Sequence, residues 1–209
     1  MAGQRAGGLR YSLGAIALLV LSLVVPTQAC SAATAGPFMP EGVAAGAPDG
    51  FAAMCAHDAQ SCHVPALPLD QQPDAAKAQA LLNRVNAEVN KAVRFREDRA
   101  ELWQRPVAPP GRKLEGDCED YALEKRARLI AEGYPADSLF FAVAYVPRAG
   151  LHTVLIARLP EGDHVLDNRT PWVTPWDQTG YTWVLRQSAS ASSGWVNLVL
   201  ARQEQLAAL

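Results

Sequence analysis

The chain has 209 residues, a formal net charge of -2 and 19% charged residues. That length accommodates one domain with a real core plus some tail, and not comfortably two. The near-neutral balance argues against a nucleic-acid binder or a polycationic membrane protein.

Arg5 and Arg10 precede an apolar run from Leu13 to Val25, which Pro26 breaks and the small residue Ala29 follows. Positive, then apolar, then small predicts a secretory signal peptide over residues 1–29, cleaved near Ala29. The run is shorter than the ~18 apolar residues of a membrane-spanning helix. An uncleaved anchor is the alternative. Cys30 comes next, so lipidation there is a further alternative, although Thr27 and Gln28 make a poor lipoprotein box. The expected location is the periplasm. Residues 30–50 are rich in Ala, Gly and Pro with no apolar period, which predicts a flexible leader and a folded domain over residues 51–209.

Cys55 and Cys62 lie in "MCAHDAQSCH", with His57 and His63 beside them. Structural zinc sites usually draw two ligand pairs from separate segments, so a local disulfide in an oxidising compartment is the favoured reading over metal. Leu82, Val85, Val89 and Ala92 recur at helical steps, which predicts a helix over Asp74 to Phe95. "RPVAPPGR", residues 105–112, reads as a loop. A helix then opens at Asp117 as N-cap, with Asp120 as a loose capping-box partner and Gly133 as the C-terminal cap. Cys118 falls in its first turn. Extended runs follow at Ser138–Val146, Leu151–Leu159, His164–Asn168, Tyr181–Leu185 and Gly194–Ala201. Helices first and then closely spaced strands predict an α+β fold with helices packed on an antiparallel sheet.

A thiol is a nucleophile only as thiolate, and a helix N-terminus together with an imidazole lowers its pKa. Cys118 has the helix start but sits between Asp117 and Glu119. Successive helical side chains point about 100° apart, which directs the acids away from the sulfur. Of the four histidines, His57 and His63 lie in the small cysteine loop, which leaves His152 and His164 on the strands. A hairpin turning through Arg158 to Glu161 sets His152 opposite Asp167 and puts His164 on the other face. A turn through Pro160 to Asp163 offsets His152 and Asp167 by ~13 Å along the strand. Only the first of these two registers makes an imidazole–carboxylate pair. Taken singly, His152 also reads as an ordinary half-buried histidine, Asp167 as a turn residue and Cys118 as a small buried hydrophobe.

"GDCEDYALEKRARLIAEGYP", "GLHTVLIARL" and "HVLDN" resemble the bacterial transglutaminase-like cysteine peptidases of the papain-like and transglutaminase-like superfamily. "LLNRVNAEVN", the Cys55–Cys62 pair, Trp103, Trp176, Tyr181 and Trp195 also look like that family. The resemblance implies a papain-like/transglutaminase-like fold with the nucleophile at a helix N-terminus. It implies Cys118 as nucleophile, His152 as general base and acid, and Asp167 as its orienter. It further implies a periplasmic endopeptidase that cuts a surface adhesin-like protein near paired alanines, releasing cells from biofilms. Calcium is the implied ion, held by Asp117 and Glu119, with carbonyls, waters or Asp120 completing the site. An inner-membrane regulatory partner belongs to the same expectation. Transglutaminase-type acyl transfer to an amine and a non-catalytic binding module are the alternatives. One departure stands out: Leu151 precedes His152, where Gly or Ala is expected in many relatives.

Overall fold

A computed structural model describes Met1, Gly3 and residues 37–62, 74–98, 102–188 and 194–199. The chain separates into residues 1–34 and residues 35–209, and everything below concerns the second unit. The expected signal peptide beyond Met1 and Gly3, its cleavage point and Cys30 lie outside the described residues. No helix among the described residues is long and apolar enough to cross a membrane.

β1 (Val43–Ala45) leads into α1 (Asp49–His57) and the short α2 (Ala59–Cys62). The Cys55–Cys62 disulfide ties these helices together, with Cα atoms 5.5 Å apart. Each sulfur is consumed by the other, so the zinc alternative for this segment falls away. α3 (Ala75–Ala92) starts where Asp74 Oδ1 accepts the Lys77 N–H, and it buries Ala78, Leu82, Val85 and Val89 on one stripe. It ends earlier than its periodicity suggests. Val93–Phe95 forms β2, which pairs in parallel with β3 (Leu114–Gly116). Arg94 and Arg96 both reach Glu115 across that pair.

α4 (Cys118–Ala131) follows directly. Its end is a Schellman cap: Gly133 at φ +86° lets Gly133 N–H bond Ile130 O and Tyr134 N–H bond Leu129 O. β4 (Leu139–Val146), β5 (Gly150–Leu159), β6 (Gly162–Leu166), β7 (Thr174–Pro175), β8 (Thr182–Gln187) and β9 (Trp195–Asn197) complete the chain. They form one sheet with the order β1-β9-β8-β4-β5-β6-β7, antiparallel at every pairing. The α+β architecture expected from the order of helices and strands is therefore the observed one.

Both faces of this sheet are buried. One face carries Leu139, Phe141, Val143, Leu155 and Ala157 against α1, α3 and α4. Phe51 of α1 meets Trp103, Phe141 and Trp195 edge-on, which locks the Pro-rich loop and the last strand to the same core. The other face carries Phe140, Ala142, Val154, Ile156 and Val165 with Met39, Trp176 and Val196.

Residues 37–50 behave differently from the expected leader, because they are part of the domain. Met39 is 3% exposed and β1 pairs with β9 along its whole length. Met39 N–H bonds Asp163 Oδ2, and Asp163 N–H bonds Pro37 O. A Cβ on Gly162, at φ +145°, would lie 2.4 Å from Pro37 O, so the segment could not dock against any other residue there. The Arg186 guanidinium, 1% exposed on the sheet, donates to Met39 O, Pro40 O and Gln187 O and pairs with the Glu41 carboxylate. Composition hid this because the segment contributes backbone carbonyls and one methionine rather than an apolar period.

A chain beginning at residue 51 should consequently lose stability beyond its share of apolar contacts. Arg186 would keep Gln187 O but lose Met39 O, Pro40 O and the Glu41 carboxylate, and an under-paired buried donor costs about 1–3 kcal/mol. Urea denaturation of the truncated chain should show a clear fall in midpoint, part of which Arg186→Met restores. An unchanged midpoint would mean that residues 37–50 contribute nothing.

Candidate active site

The site is built where β6 leaves the sheet. β5 and β6 pair Leu155 with Leu166, Ile156 with Val165, Ala157 with His164 and Leu159 with Gly162. The turn is thus Pro160–Glu161, a register between the two considered from sequence. Extended by one pair it sets Asp167 against Val154, so His152 and Asp167 share a face as diagonal neighbours. The diagonal suffices: His152 Nε2 and Asp167 Oδ1 are 2.8 Å apart. Sequence reasoning therefore had the pair but not the register. His164 is four residues down the ladder from Thr153's level, about 13 Å, and bonds Gly162 O instead.

Asp167 is 2% exposed. Burial opposes its ionisation, yet the hydrogen bonds from His152, Tyr181 and the Arg169 N–H hold its carboxyl below the usual range. Tyr181 donates to Oδ2 at 2.5 Å and packs edge-on to the His152 ring. With Asp167 ionised, Nε2–H of His152 is the donor and Nδ1 is left as the basic nitrogen of the neutral ring. The Asp167 backbone is fixed as well. Asn90 of α3 donates to Asp167 O and Thr170 O, and Asn86 donates to Thr170 O. Lys125 of α4, 1% exposed, lies within the field of Asp167, and its burial pulls the ammonium down to about 7. The asparagines of α3, Lys125 and the role of Tyr181 were not assigned from sequence. An asparagine buried on an otherwise apolar helical stripe, as Asn86 is, was the available signal.

Cys118 opens α4 as its first residue and is the free cysteine among the described residues. The backbone N–H of Thr153, the residue after His152, lies near enough to the sulfur to favour its ionised form. This brings the thiol to β5 at the point where β6 has departed. Asp117 holds the N-cap position, but its side chain makes no cap bond. Its Oδ2 takes the Asp98 N–H, while Asp120 Oδ1 takes the Gln104 N–H. Gly116 is required here, since a Cβ would meet the Asp120 carboxylate at 2.6 Å.

The expectation that helix geometry turns the acids away from the sulfur is wrong for one of them. Glu119 Oε2 accepts a hydrogen bond from the Cys118 thiol at 3.0 Å. A two-bond side chain rotation brings a glutamate back over its neighbour, which the 100° spacing of Cβ atoms does not prevent. Burial and the Glu119 charge push the thiol up to about 12. Burial and mutual repulsion also raise Asp117, and raise Glu119 and Asp120 to about 7 each. Asp117 Oδ1 and Asp98 Oδ2 are buried without a hydrogen-bond partner. Among the described residues no three His, Cys, Asp or Glu side chains converge as a preassembled metal site.

A profile of the bacterial transglutaminase-like cysteine proteinases matches residues 41–203. The chain belongs to that family. It is accordingly a cysteine peptidase with the α+β transglutaminase-like fold. Solved structures of Legionella pneumophila LapG are similar at 24% identity. The calcium-bound form aligns over 61% of this chain and 72% of its own, with a TM-score of 0.47. Two further forms, one EGTA-treated, align over 57% of this chain and 68% and 67% of theirs, each at 0.42. No curated protein matches the sequence.

Removing the Tyr181 hydroxyl tests the hold on Asp167. Tyr181→Phe leaves a buried carboxylate oxygen short of a donor, a loss of about 1–3 kcal/mol. Asp167 is depressed in the folded state, so its contribution is present above the unfolded carboxyl value and fades as pH falls through the folded one. Tyr181→Phe raises the folded value, so the acid loss of stability should be smaller and complete at higher pH. Urea midpoints across the acid range check this; superimposable curves for both proteins would refute it.

Proposed function

We propose that this cysteine peptidase is a periplasmic endopeptidase using Cys118, His152 and Asp167 as nucleophile, general base and orienting carboxylate. The observation that carries the reading is the 2.8 Å His152–Asp167 bond, with the Cys118 thiol near the N–H of the next residue, Thr153. In the proposed reaction the Cys118 proton passes to His152 Nδ1 and the sulfur attacks a peptide carbonyl. The C–N bond breaks as His152 returns that proton to the leaving amine. Water, deprotonated by the same nitrogen, then cleaves the thioester and regenerates the thiol. Asp167 stays ionised throughout and stabilises the imidazolium. The N–H groups of the first turn of α4 are suited to the developing oxyanion.

The signal-peptide pattern supports export, and an exported or surface protein such as an adhesin is the proposed substrate class. Calcium is the proposed ion, with Asp117 and Glu119 as its protein ligands. The buried, partnerless oxygens of Asp117 and Asp98 fit a hard cation, and backbone carbonyls, waters or Asp120 would supply further oxygens. The charge it supplies when bound offsets the acids that hold the thiol in its protonated form.

Two measurements test this reading. Exported surface proteins incubated with the purified enzyme should be cut in calcium, cut at least tenfold more slowly in EGTA, and left intact by Cys118→Ala. Iodoacetamide labelling of Cys118 against pH should shift to lower pH when calcium is added. Glu119→Gln removes the charge that raises the thiol, so its labelling without calcium should already lie at lower pH and respond little to the ion. Equal labelling of wild type and His152→Ala would overturn the base assignment, and no response to calcium would overturn the ion.

A further inference from the structure

The helix-facing side of the central sheet is left uncovered beside the thiol. β4 and β5 pair Val143 with Thr153 and Tyr145 with Leu151, so these four side chains leave the same face. Val143 and Thr153 are buried beneath the helical layer, at 7% exposure each. The next pair is in solvent: Tyr145 is 49% exposed and Leu151 68%. The cover ends where α4 begins, because Cys118 is its first residue and its sulfur lies near the Thr153 N–H. One strand repeat, about 7 Å, separates Thr153 from Leu151.

Backbone groups two residues apart on a strand point the same way. The N–H and C=O of Leu151 thus face the side on which the thiol lies near the Thr153 N–H, where the β6 ladder stops at Leu155. A strand edge with no ladder partner there among the described residues, and an apolar row above it, matches an extended peptide, which places alternate side chains on one face with the same ~7 Å repeat. Single exposed apolar residues are ordinary on a soluble protein. Two in direct cross-strand register, one of them the chain neighbour of His152, form a surface of a different kind.

We propose that Leu151 and Tyr145 form an apolar ledge that receives an apolar side chain of the extended peptide substrate, within two residues of the scissile bond. The ledge is a specificity element and rests on the reading of Cys118 and His152 as the reacting pair. It takes no part in proton transfer. Its contribution appears as preference between substrates and in KM.

A synthetic decapeptide library, randomised along its length, is the probe, with the cut positions read by mass spectrometry. Wild type should enrich Leu, Met, Val or Phe at a fixed position within two residues of the cut. On a peptide chosen from that set, Leu151→Thr and Tyr145→Thr should each lose on the order of tenfold in kcat/KM, mainly through KM. Iodoacetamide labelling of Cys118 should keep its wild-type rate, and thermal melts should show both variants folded. A wild type with no apolar enrichment, or variants with unaltered preference and KM, overturns the ledge alone. A wild type whose Cys118 is alkylated but which cuts no peptide overturns the endopeptidase reading and the ledge with it.

Discussion

Asp167 leaves the sheet one residue after β6 ends, and neighbours from outside its own strand hold both its carboxylate and its carbonyl. A carboxylate taken out of water costs several kcal/mol unless donors replace the solvent. Here His152, Tyr181 and the Arg169 N–H are those donors, and Lys125 adds a positive field from α4. The same bonds position three elements at once. α3 grips the 167–170 turn through Asn90 and Asn86, β8 follows Tyr181, and β5 carries His152. Loss of any one donor would both weaken the fold locally and free the imidazole to rotate.

The departure of β6 has a second consequence. A strand whose ladder continued past Leu155 would have its edge amides paired, and the Thr153 N–H would be unavailable to a sulfur. By ending the ladder there, the fold opens a gap into which the first residue of α4 is set. The helix is held in that gap from the outside. Gln104 N–H bonds Asp120, Arg105 pairs with Glu124, and Asp98 N–H bonds Asp117. The residues leading into the proline-rich loop thus hold the start of α4, and Trp103 among them is a core residue.

Long periodic segments were legible from sequence because burial imposes their period: α3, α4, β4 and β5 lie within two or three residues of their expected bounds. β1, β2, β3 and β7 were not, because strands of two or three residues carry no period to read. Residues 37–50 were misjudged for a related reason, since their contribution is carbonyl acceptors for Arg186 and one buried Met39. That His152 and Asp167 share a face was legible, whereas the register that joins them was set by a two-residue turn that sequence left open. Glu119 was misread because alternation along a helix describes Cβ directions, and a long side chain can return to its neighbour.

The two groups of buried acids in this site differ in a way that bears on its function. Asp167 has a donor for each oxygen and sits below the ordinary carboxyl value. Asp117, Glu119 and Asp120 crowd the start of one helix and are raised, first by burial, then by the Asp117 charge on Glu119 and Asp120 and by the Asp98 charge on Asp117. A helix N-terminus offsets part of that repulsion, by about 0.3–1 kcal/mol per charge at exposed sites, which is small beside the cost of three buried carboxyls. Protons or a cation must supply the rest. Protons on Glu119 and Asp120 would be shed as pH rises through about 7, leaving the thiol facing more negative charge in the range where a nucleophile is needed. A cation removes that conflict, because it stabilises the ionised acids and relieves the thiol together. Under the calcium proposal, the acids that count against Cys118 as a bare thiol are the groups through which the ion would act on it.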